Sequence, residues 1–146
     1  MTKTVYKKDL LFPELSYKIV GCAYEVFNEI GGGHKEKAYQ NAMRMALTEK
    51  ALNFTEQHYY PVLFRNSVVE RGFFDFFIEE KILVELKSLG RFTKGDFDQV
   101  NNYLTNSGIK LALLITFGQD EVRIKRMVNF KEIHQAPLFQ TEDKII

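Results

Sequence analysis

Three charged residues lie close together in the sequence and carry the groups that metal-dependent hydrolysis needs. Asp75 stands near the end of one aromatic-rich segment, and Glu85 and Lys87 stand two residues apart in the next apolar segment. Carboxylate oxygens are the ligands that Mg²⁺ and Mn²⁺ prefer, and a lysine beside such a cation can stabilise charge that develops on a phosphate. This combination indicates a site suited to hydrolysing a phosphodiester bond.

Both acids fall in segments rich in β-branched and aromatic residues, and residues 79–81 separate the two segments. A loop of three residues between antiparallel strands makes Ile78 face Ile82. Counting back along both strands then places Asp75 directly opposite Glu85. Opposed carboxylates repel each other unless a cation lies between them. We therefore expect the two acids to hold a divalent cation, with the backbone carbonyl of the intervening leucine, Leu86, as a further oxygen ligand.

Alternation along the two strands predicts which side chains accompany the acids. The residues expected to share a face with Asp75 are Arg71, Phe73 and Phe77. Glu85 and Lys87 are expected to share a face with Leu83. An exposed strand-end aspartate and a solvated Glu-x-Lys pair would explain the same pattern without a site.

The elements that must position these residues follow from hydrophobic periodicity. Apolar residues at helical spacing predict a helix from Pro13 to Ile30 and a second from about Lys35 to Leu52, with a glycine triplet between them. The predicted buried stripe of the second helix is Ala38, Ala42, Met45, Ala46 and Leu52. The remaining elements are predicted as strands at 54–64, 68–78 and 82–86, a helix at 96–105, and strands at 110–117 and from Val122.

The order ααβββαββ is typical of an α/β domain in which helices flank a mixed central sheet. A chain of 146 residues leaves room for a single domain, 1–146, whose core is expected at about 14–128 between short N- and C-terminal extensions. The hydrophobic share of 45% is that of an ordinary globular protein rather than a disordered one.

Charge and cysteine content narrow the class of protein. The net charge of +1 provides no global attraction to a phosphate backbone, so any attraction must come from local clusters. The single cysteine, Cys22, excludes an internal disulfide and fits a reducing compartment. No apolar stretch approaches the roughly 18 residues of a membrane span. The first twelve residues lack the apolar run of a signal peptide, so we expect a cytoplasmic location.

The helix after the acidic strands carries Gln99 and Tyr103 four residues apart, which places both on one face. From there both side chains could reach across to the acids. Considered alone, the two residues fit an ordinary surface helix equally well, since tyrosine is common at the edge of an amphipathic face.

Taken in order, these residues resemble a known pattern. An Asp on one strand, Glu-x-Lys on the next and Gln-x-x-x-Tyr on a helix are similar to the PD-(D/E)xK nuclease superfamily, in its RecB-like branch. The residues that carry the resemblance are Asp75, Glu85, Lys87, Gln99 and Tyr103. Residues 33–39 match Gly-x-x-Glu-x-x-Tyr, the signature of the GxxExxY family within that superfamily. The resemblance covers about residues 14–128.

The resemblance implies a restriction-endonuclease-like fold and a nuclease that acts on DNA or RNA with Mg²⁺ or Mn²⁺. Asp75 and Glu85 would be metal ligands, Lys87 the catalytic lysine, and Gln99 and Tyr103 supporting active-site residues. Glu36 would be a helix-borne acid near the metal and a further candidate ligand. Its place in the first turn of a helix also suits it to a purely structural role, because the helix dipole favours a carboxylate there.

A catalytically silent nucleic-acid- or protein-binding module with the same fold is the alternative, and a homodimer or a protein partner could then complete it. The basic residues that could hold a phosphate backbone are Lys87, Arg91, Lys94, Arg123, Lys125, Arg126 and Lys131. The aromatic residues that could stack on bases are Tyr59, Tyr60 and Phe92. Core packing explains such aromatic residues as readily as recognition does.

Overall fold

The computed structural model describes residues 11–129. In chain order the elements are α1 (Pro13–Ile30), α2 (Glu36–Glu49), β1 (Phe54–Phe64), β2 (Ser67–Ile78), β3 (Ile82–Ser88), α3 (Lys94–Ser107), β4 (Leu111–Phe117) and β5 (Val122–Val128). The predicted order ααβββαββ is confirmed. Within the described part of the chain, no helix combines the length and the apolar character that crossing a membrane requires.

The five strands form one mixed sheet in the order β1-β2-β3-β4-β5. Strands β3 and β4 are parallel, and α3 is the crossover between them, whereas every other neighbouring pair is antiparallel. Helices α1 and α2 pack on one face of the sheet, and α3 packs on the other. The predicted α/β architecture, a mixed central sheet flanked by helices, is confirmed.

Helix α2 differs from its predicted extent and orientation. It ends at Glu49 rather than near Leu52, where Ala51 adopts a left-handed backbone conformation with a φ of 58°. Its buried side chains are Tyr39, Met43, Ala46 and Leu47. Met45, predicted to be buried, is 64% exposed. The buried stripe is therefore turned by about one residue, roughly 100°, because the large ring of Tyr39 takes the position facing the sheet.

Strands β1 and β2 exchange their buried and exposed faces halfway along. Phe76 packs in the cluster beneath α1 and α2, whereas Phe74 packs in the cluster beneath α3. Strict alternation would put two residues at this spacing on one face. The ladder between the strands pairs both phenylalanines but omits Asp75 and its neighbour across the hairpin, Gln57, which has a φ of 55°. The strands therefore turn over at this unpaired position.

This reversal makes the predicted common face of Arg71, Phe73, Asp75 and Phe77 wrong. Phe77 packs toward α3. Phe73 and Arg71 alternate with Phe74, which also packs toward α3, so they point away from that helix. Alternation predicts a face only along an unbroken ladder, and here the ladder breaks at Asp75.

The hairpin loops set the register. The loop at residues 79–81 places Ile78 opposite Ile82, as predicted. The turn between β1 and β2 contains only Arg65 and Asn66, one residue fewer than predicted, and both have positive φ values of 51° and 65°. Two left-handed residues give the tight turn whose twist suits a hairpin. Because β2 pairs with β3 over only three residue pairs, residues 58–74 form a two-stranded extension, which we call the arm.

Replacing Gly72 with alanine is expected to lower the free energy of unfolding by about 1–3 kcal/mol. The ring of Tyr60 lies over Gly72 from the paired position on β1, and an added Cβ would overlap that ring. Urea denaturation measures the effect. Gly21→Ala is the matched control, because nothing lies within 4 Å of its added Cβ. Removing a glycine from a helix is expected to raise stability by about 0.5–1 kcal/mol. Equal stability of the two variants would contradict the expectation.

Candidate active site

Asp75 and Glu85 meet where β2 separates from β3. The backbone N–H of Asp75 donates to Oε1 of Glu85 at 3.0 Å, and the backbone N–H of Leu86 donates to Oδ2 of Asp75 at 2.7 Å. These bonds replace the strand ladder, whose last pair is Phe76 with Val84. The structure thus brings the two acids together as the loop count predicts, and it binds each carboxylate to the backbone of the opposite strand.

The environment of the pair favours protonated carboxyl groups. Burial, together with the nearby charge of Asp75, raises the pKa of Glu85 to about 9. Burial also raises the pKa of Asp75, although the N–H of Leu86 and the side chain of Gln57 favour its ionised form. The ion pairs within residues 11–129 do not include either acid. Within this part of the chain, no ion pair supplies the positive charge that would let both groups ionise.

Lys87 lies on β3 two residues beyond Glu85, so its side chain leaves the same face of the strand. Its Cε is 3.6 Å from the position that a Cβ on Gly90 would take, which shows that the aliphatic part of the lysine passes over that glycine. The N–H and C=O of a strand residue point to the same side, so the carbonyl of Leu86 faces the gap toward Asp75 as its N–H does. The carbonyl of Leu86 therefore lies beside the acids, and Lys87 extends from the same strand face as Glu85.

Glu36 approaches the acid pair from the first turn of α2. Its Oε2 accepts a long hydrogen bond of 3.4 Å from the backbone N–H of Ser88, at the end of β3. The charge of Glu36 contributes to raising the pKa values of both Asp75 and Glu85. A third carboxylate therefore lies within electrostatic range of the pair, although no described hydrogen bond joins it to either acid.

Tyr39 anchors the start of the helix that carries Glu36. Its hydroxyl donates to the carbonyl of Gly31 at 2.7 Å, and its fully buried ring stacks on Phe117 with 4.2 Å between ring centroids. The ring of His34 bonds the carbonyl of Ile30 at 2.7 Å, so this histidine belongs to the elbow between α1 and α2. The glutamate and the tyrosine of the Gly-x-x-Glu-x-x-Tyr segment thus have separate positions: one faces the acids and the other holds the elbow.

Gln99 and Tyr103 share a face of α3, as predicted, and line a cavity of about 470 Å³. The hydroxyl of Tyr103 lies 2.8 Å from Nε2 of His58, on the arm. Within residues 11–129, neither Gln99 nor Tyr103 hydrogen bonds to Asp75 or Glu85. The structure therefore places these two residues on the arm side of the site and does not join them directly to the acids.

The predicted basic residues do not form one patch. Arg91 and Arg123 line a cavity of about 620 Å³ at the end of the sheet. Lys94 forms an exposed ion pair of 2.8 Å with an aspartate one turn along α3. Arg126 contacts Ser16 on α1, on the opposite face of the sheet from α3. Lys131 lies outside the described residues.

Comparison with known proteins identifies the family. A model of the PD-(D/E)XK nuclease superfamily matches residues 13–131, which is most of the chain. The chain belongs to the PD-(D/E)XK nuclease superfamily. Asp75 and the segment Glu85-Leu86-Lys87 stand in the order that the superfamily's name describes. The mixed sheet with flanking helices is consistent with the restriction-endonuclease-like domain of this superfamily, so the predicted superfamily and fold class are confirmed.

Comparisons with curated proteins and with solved structures give less information about this chain. No curated protein shows a significant match. A solved protein, described as "Crystal structure of SSO0001", is similar to 68% of this chain with a TM-score of 0.48 and 14% sequence identity. The match includes 54% of that protein, so this chain spans about half its length.

PD-(D/E)XK nucleases generally use divalent metals such as Mg²⁺, and the acid pair fits that chemistry. Two carboxylates and the carbonyl of Leu86 offer the hard oxygen ligands that Mg²⁺ and Mn²⁺ prefer. Burial and the neighbouring charge of Asp75 raise the pKa of Glu85, so a bound cation would favour the ionised form of this carboxyl group. Within residues 11–129, no group of three His, Cys, Asp or Glu side chains is close enough together to hold a metal ion.

The structure also assigns positions to three residues that the sequence did not single out. Gln57 contacts the carboxyl of Asp75, and His58 bonds the hydroxyl of Tyr103. Ser88 is buried and donates its hydroxyl to the carbonyl of His34 at 2.8 Å, which joins β3 to the elbow. Of the three, only Ser88 has a position in the sequence that points to the site, because it directly follows Lys87. Gln57 and His58 lie at and next to the unpaired position of β1, where Gln57 has a positive φ, and no local sequence pattern indicates that position.

Proposed function

We propose that this PD-(D/E)XK protein is a Mg²⁺- or Mn²⁺-dependent nuclease that hydrolyses phosphodiester bonds of DNA or RNA. The observation that carries the proposal is the buried acid pair, in which Asp75 and Glu85 each bind the backbone of the opposite strand, and in which burial and mutual repulsion raise the pKa of Glu85 to about 9. Lys87 follows Glu85 by two residues along β3. Asp75, Glu85 and the carbonyl of Leu86 would hold the cation. Glu36 would support it from α2, either as a further ligand or through water.

When bound, the cation supplies positive charge against the charge that develops on the phosphate and lowers the pKa of water. Water attacks phosphorus and releases a proton to solvent, the bond to the leaving oxygen breaks, and that oxygen takes up a proton from solvent, so that one water is consumed for each bond cut. Lys87 extends from the same face as Glu85, where its ammonium group can donate to a phosphate oxygen or orient the attacking water. Gln99 and Tyr103 are proposed to support the substrate from the α3 side rather than to touch the metal.

The test is cleavage by the pure full-length chain of four substrates: single- and double-stranded DNA and single- and double-stranded RNA. Each is incubated with Mn²⁺, with Mg²⁺ and with EDTA. We expect at least one substrate to be cut with either metal and none with EDTA. Cleavage that persists in EDTA, or intact substrates under all conditions, would contradict the proposal.

Replacing Glu36 with glutamine is expected to weaken Mn²⁺ binding by roughly 10-fold, since residues that support metal ligands typically contribute 10- to 100-fold to affinity. The substitution keeps the shape of the side chain and removes the charge that acts on both acids. Titration calorimetry with Mn²⁺ measures the change. Glu25→Gln is the control, because Glu25 pairs with Lys50 on the exposed surface of α1. Equal affinities in the two variants would assign Glu36 a purely structural role.

The second candidate is a catalytically silent nucleic-acid- or protein-binding module. It is favoured by the lack of a described bond from Gln99 or Tyr103 to the acids. Calorimetry separates the two functions: absence of Mn²⁺ binding together with nucleic-acid binding in EDTA would support the module. We also propose membership of the GxxExxY family, because residues 33–39 match Gly-x-x-Glu-x-x-Tyr, and of the RecB-like branch of the superfamily, because Gln99 and Tyr103 match Gln-x-x-x-Tyr. A single domain over 1–146, a cytoplasmic location and a homodimer or protein partner stay predictions.

A further inference from the structure

The arm presents one face to solvent. Tyr60, Val62 and Phe74 pack toward α3, so alternation directs the residues between them away from that helix. The register of the two strands shifts between Val62 and Leu63, and beyond that shift Val68 is paired with Leu63 and so shares its face. The residues of this second face, which we call the open face, are Tyr59, Pro61, Leu63, Val68, Arg71 and Phe73, and all six are exposed. Phe73 stands two residues from Asp75 along β2, so the open face begins next to the acid pair.

Exposed apolar surface is concentrated on the arm. Of the ten large hydrophobic side chains that are exposed in residues 11–129, six belong to it. They are Tyr59 (40%), Leu63 (54%), Phe64 (57%), Val68 (53%), Val69 (61%) and Phe73 (41%). Because neither α3 nor the α1 and α2 layer covers these side chains, packing within the described fold does not account for their apolar character.

The open face near the acids combines two rings with one cation. Tyr59 and Phe73 are paired across the strands with 5.7 Å between ring centroids. The guanidinium of Arg71 lies 4.8 Å from the ring of Tyr59 and 6.0 Å from that of Phe73. Glu70 is paired with Val62 and therefore points to the α3 side, so Arg71 provides the charge of this face. Exposed rings beside a guanidinium complement the bases and phosphates of an unpaired strand.

We propose that the open face of the arm binds single-stranded nucleic acid and leads it to the acid pair. Bases stack on Tyr59 and Phe73, while Arg71 contacts a phosphate. A duplex would not be held in this way, because its bases are already stacked on one another and present only their edges in the grooves. The choice of nucleic acid as the partner rests on the proposed function, but the binding itself requires neither metal nor catalysis.

Fluorescence anisotropy in EDTA tests the proposal with the full-length chain and fluorescein-labelled oligonucleotides, single-stranded or annealed to a complement. We expect the single strand to bind more tightly than the duplex. Tyr59→Ala and Phe73→Ala are each expected to weaken single-strand binding by roughly 10-fold. Phe73→Tyr keeps an aromatic ring, so this variant should bind the single strand as tightly as the unmodified chain. Arg71→Gln is expected to reduce the salt dependence of binding by about 0.7 in the logarithmic slope.

Tyr17→Ala is the matched control, because Tyr17 is 81% exposed on α1, away from the arm. Circular dichroism of each variant verifies folding. Equal binding of single strand and duplex, or unchanged affinity in both ring variants, would overturn the proposal. A third outcome would also overturn it: light scattering shows a dimer, Leu63→Asp makes the chain monomeric, and the Leu63→Asp variant still binds the oligonucleotide with unchanged affinity. The open face would then be a self-association surface. Because all binding is measured without metal, an inactive nuclease would leave this result interpretable.

Discussion

Replacing Lys87 with alanine, or Glu85 with glutamine, is expected to lower the rate of phosphodiester cleavage by roughly 10²–10³-fold or more. Lys87→Ala removes the lysine that we propose acts on the phosphate, and Glu85→Gln removes one of two carboxylates that would hold the metal. The measurement is single-turnover cleavage in Mn²⁺ with enzyme in excess over substrate. Both substitutions are expected to act on the chemical step, so oligonucleotide affinity in EDTA should change little.

The loop between the two acidic strands supplies matched controls. Lys81→Ala and Glu80→Gln change the same residue types a few positions away, in an exposed loop that does not reach the acid pair. Both controls should cleave at the rate of the unmodified chain. Cleavage that survives both Lys87→Ala and Glu85→Gln would show that the hydrolytic activity does not belong to this site.

Without metal, the chain is expected to become less stable as the pH rises from about 5 to about 9. The folded pKa of Glu85, about 9, lies above the ordinary glutamate value of 4.5, so the folded state holds a proton that the unfolded state has lost. The stabilisation is fully present below the unfolded pKa and is lost as the pH rises through the folded pKa. Thermal unfolding in EDTA across this range measures it.

Glu85→Gln replaces the carboxyl group with a neutral amide that can still accept a hydrogen bond but does not titrate. This variant should unfold at least about 3 °C above the unmodified chain near pH 8, a shift that corresponds to roughly 1 kcal/mol in a domain of this size. Glu80→Gln, in the exposed loop, should leave the pH dependence unchanged. A pH profile identical in the Glu85 variant and the unmodified chain would exclude the raised pKa.

The same proton links metal binding to pH. Deprotonation must accompany coordination, so Mn²⁺ affinity should rise by up to about 10-fold per pH unit below the pKa of Glu85. Calorimetry in buffers of different ionisation enthalpy counts the protons released. A metal affinity independent of pH would place the ion away from the acid pair.

The acid pair was predictable because its geometry depends on a short loop. A three-residue connection pairs Ile78 with Ile82. Counting back from that pair makes Asp75 and Glu85 neighbours, and no contact between distant parts of the chain has to be known. The face reversal at Asp75 was not predictable. It arises because the N–H of Asp75 bonds the side chain of Glu85 rather than a strand neighbour, which is a tertiary interaction.

Two other differences have separate causes. Spacing correctly placed Gln99 and Tyr103 on one helix face but could not give the position of α3 relative to the sheet, which decides whether those side chains touch the acids. Arg123 and Arg126 lie three residues apart on β5, and an odd separation along a strand already predicts that their side chains leave opposite faces. Strand alternation thus gives the correct faces along β5. Along β2 it fails at Asp75, where the ladder with β1 is broken.

The two-residue turn at Arg65 and Asn66 closes the arm at the end far from the acids, so the length of the arm can change in evolution without moving the acid pair. Among residues 11–129, the two strands pair only with each other beyond the unpaired position at Gln57 and Asp75. Residues added in matched pairs next to the turn would extend the hairpin outward and leave both acids in place. A single ancestral reaction centre could thus serve descendants that handle substrates of different length or shape.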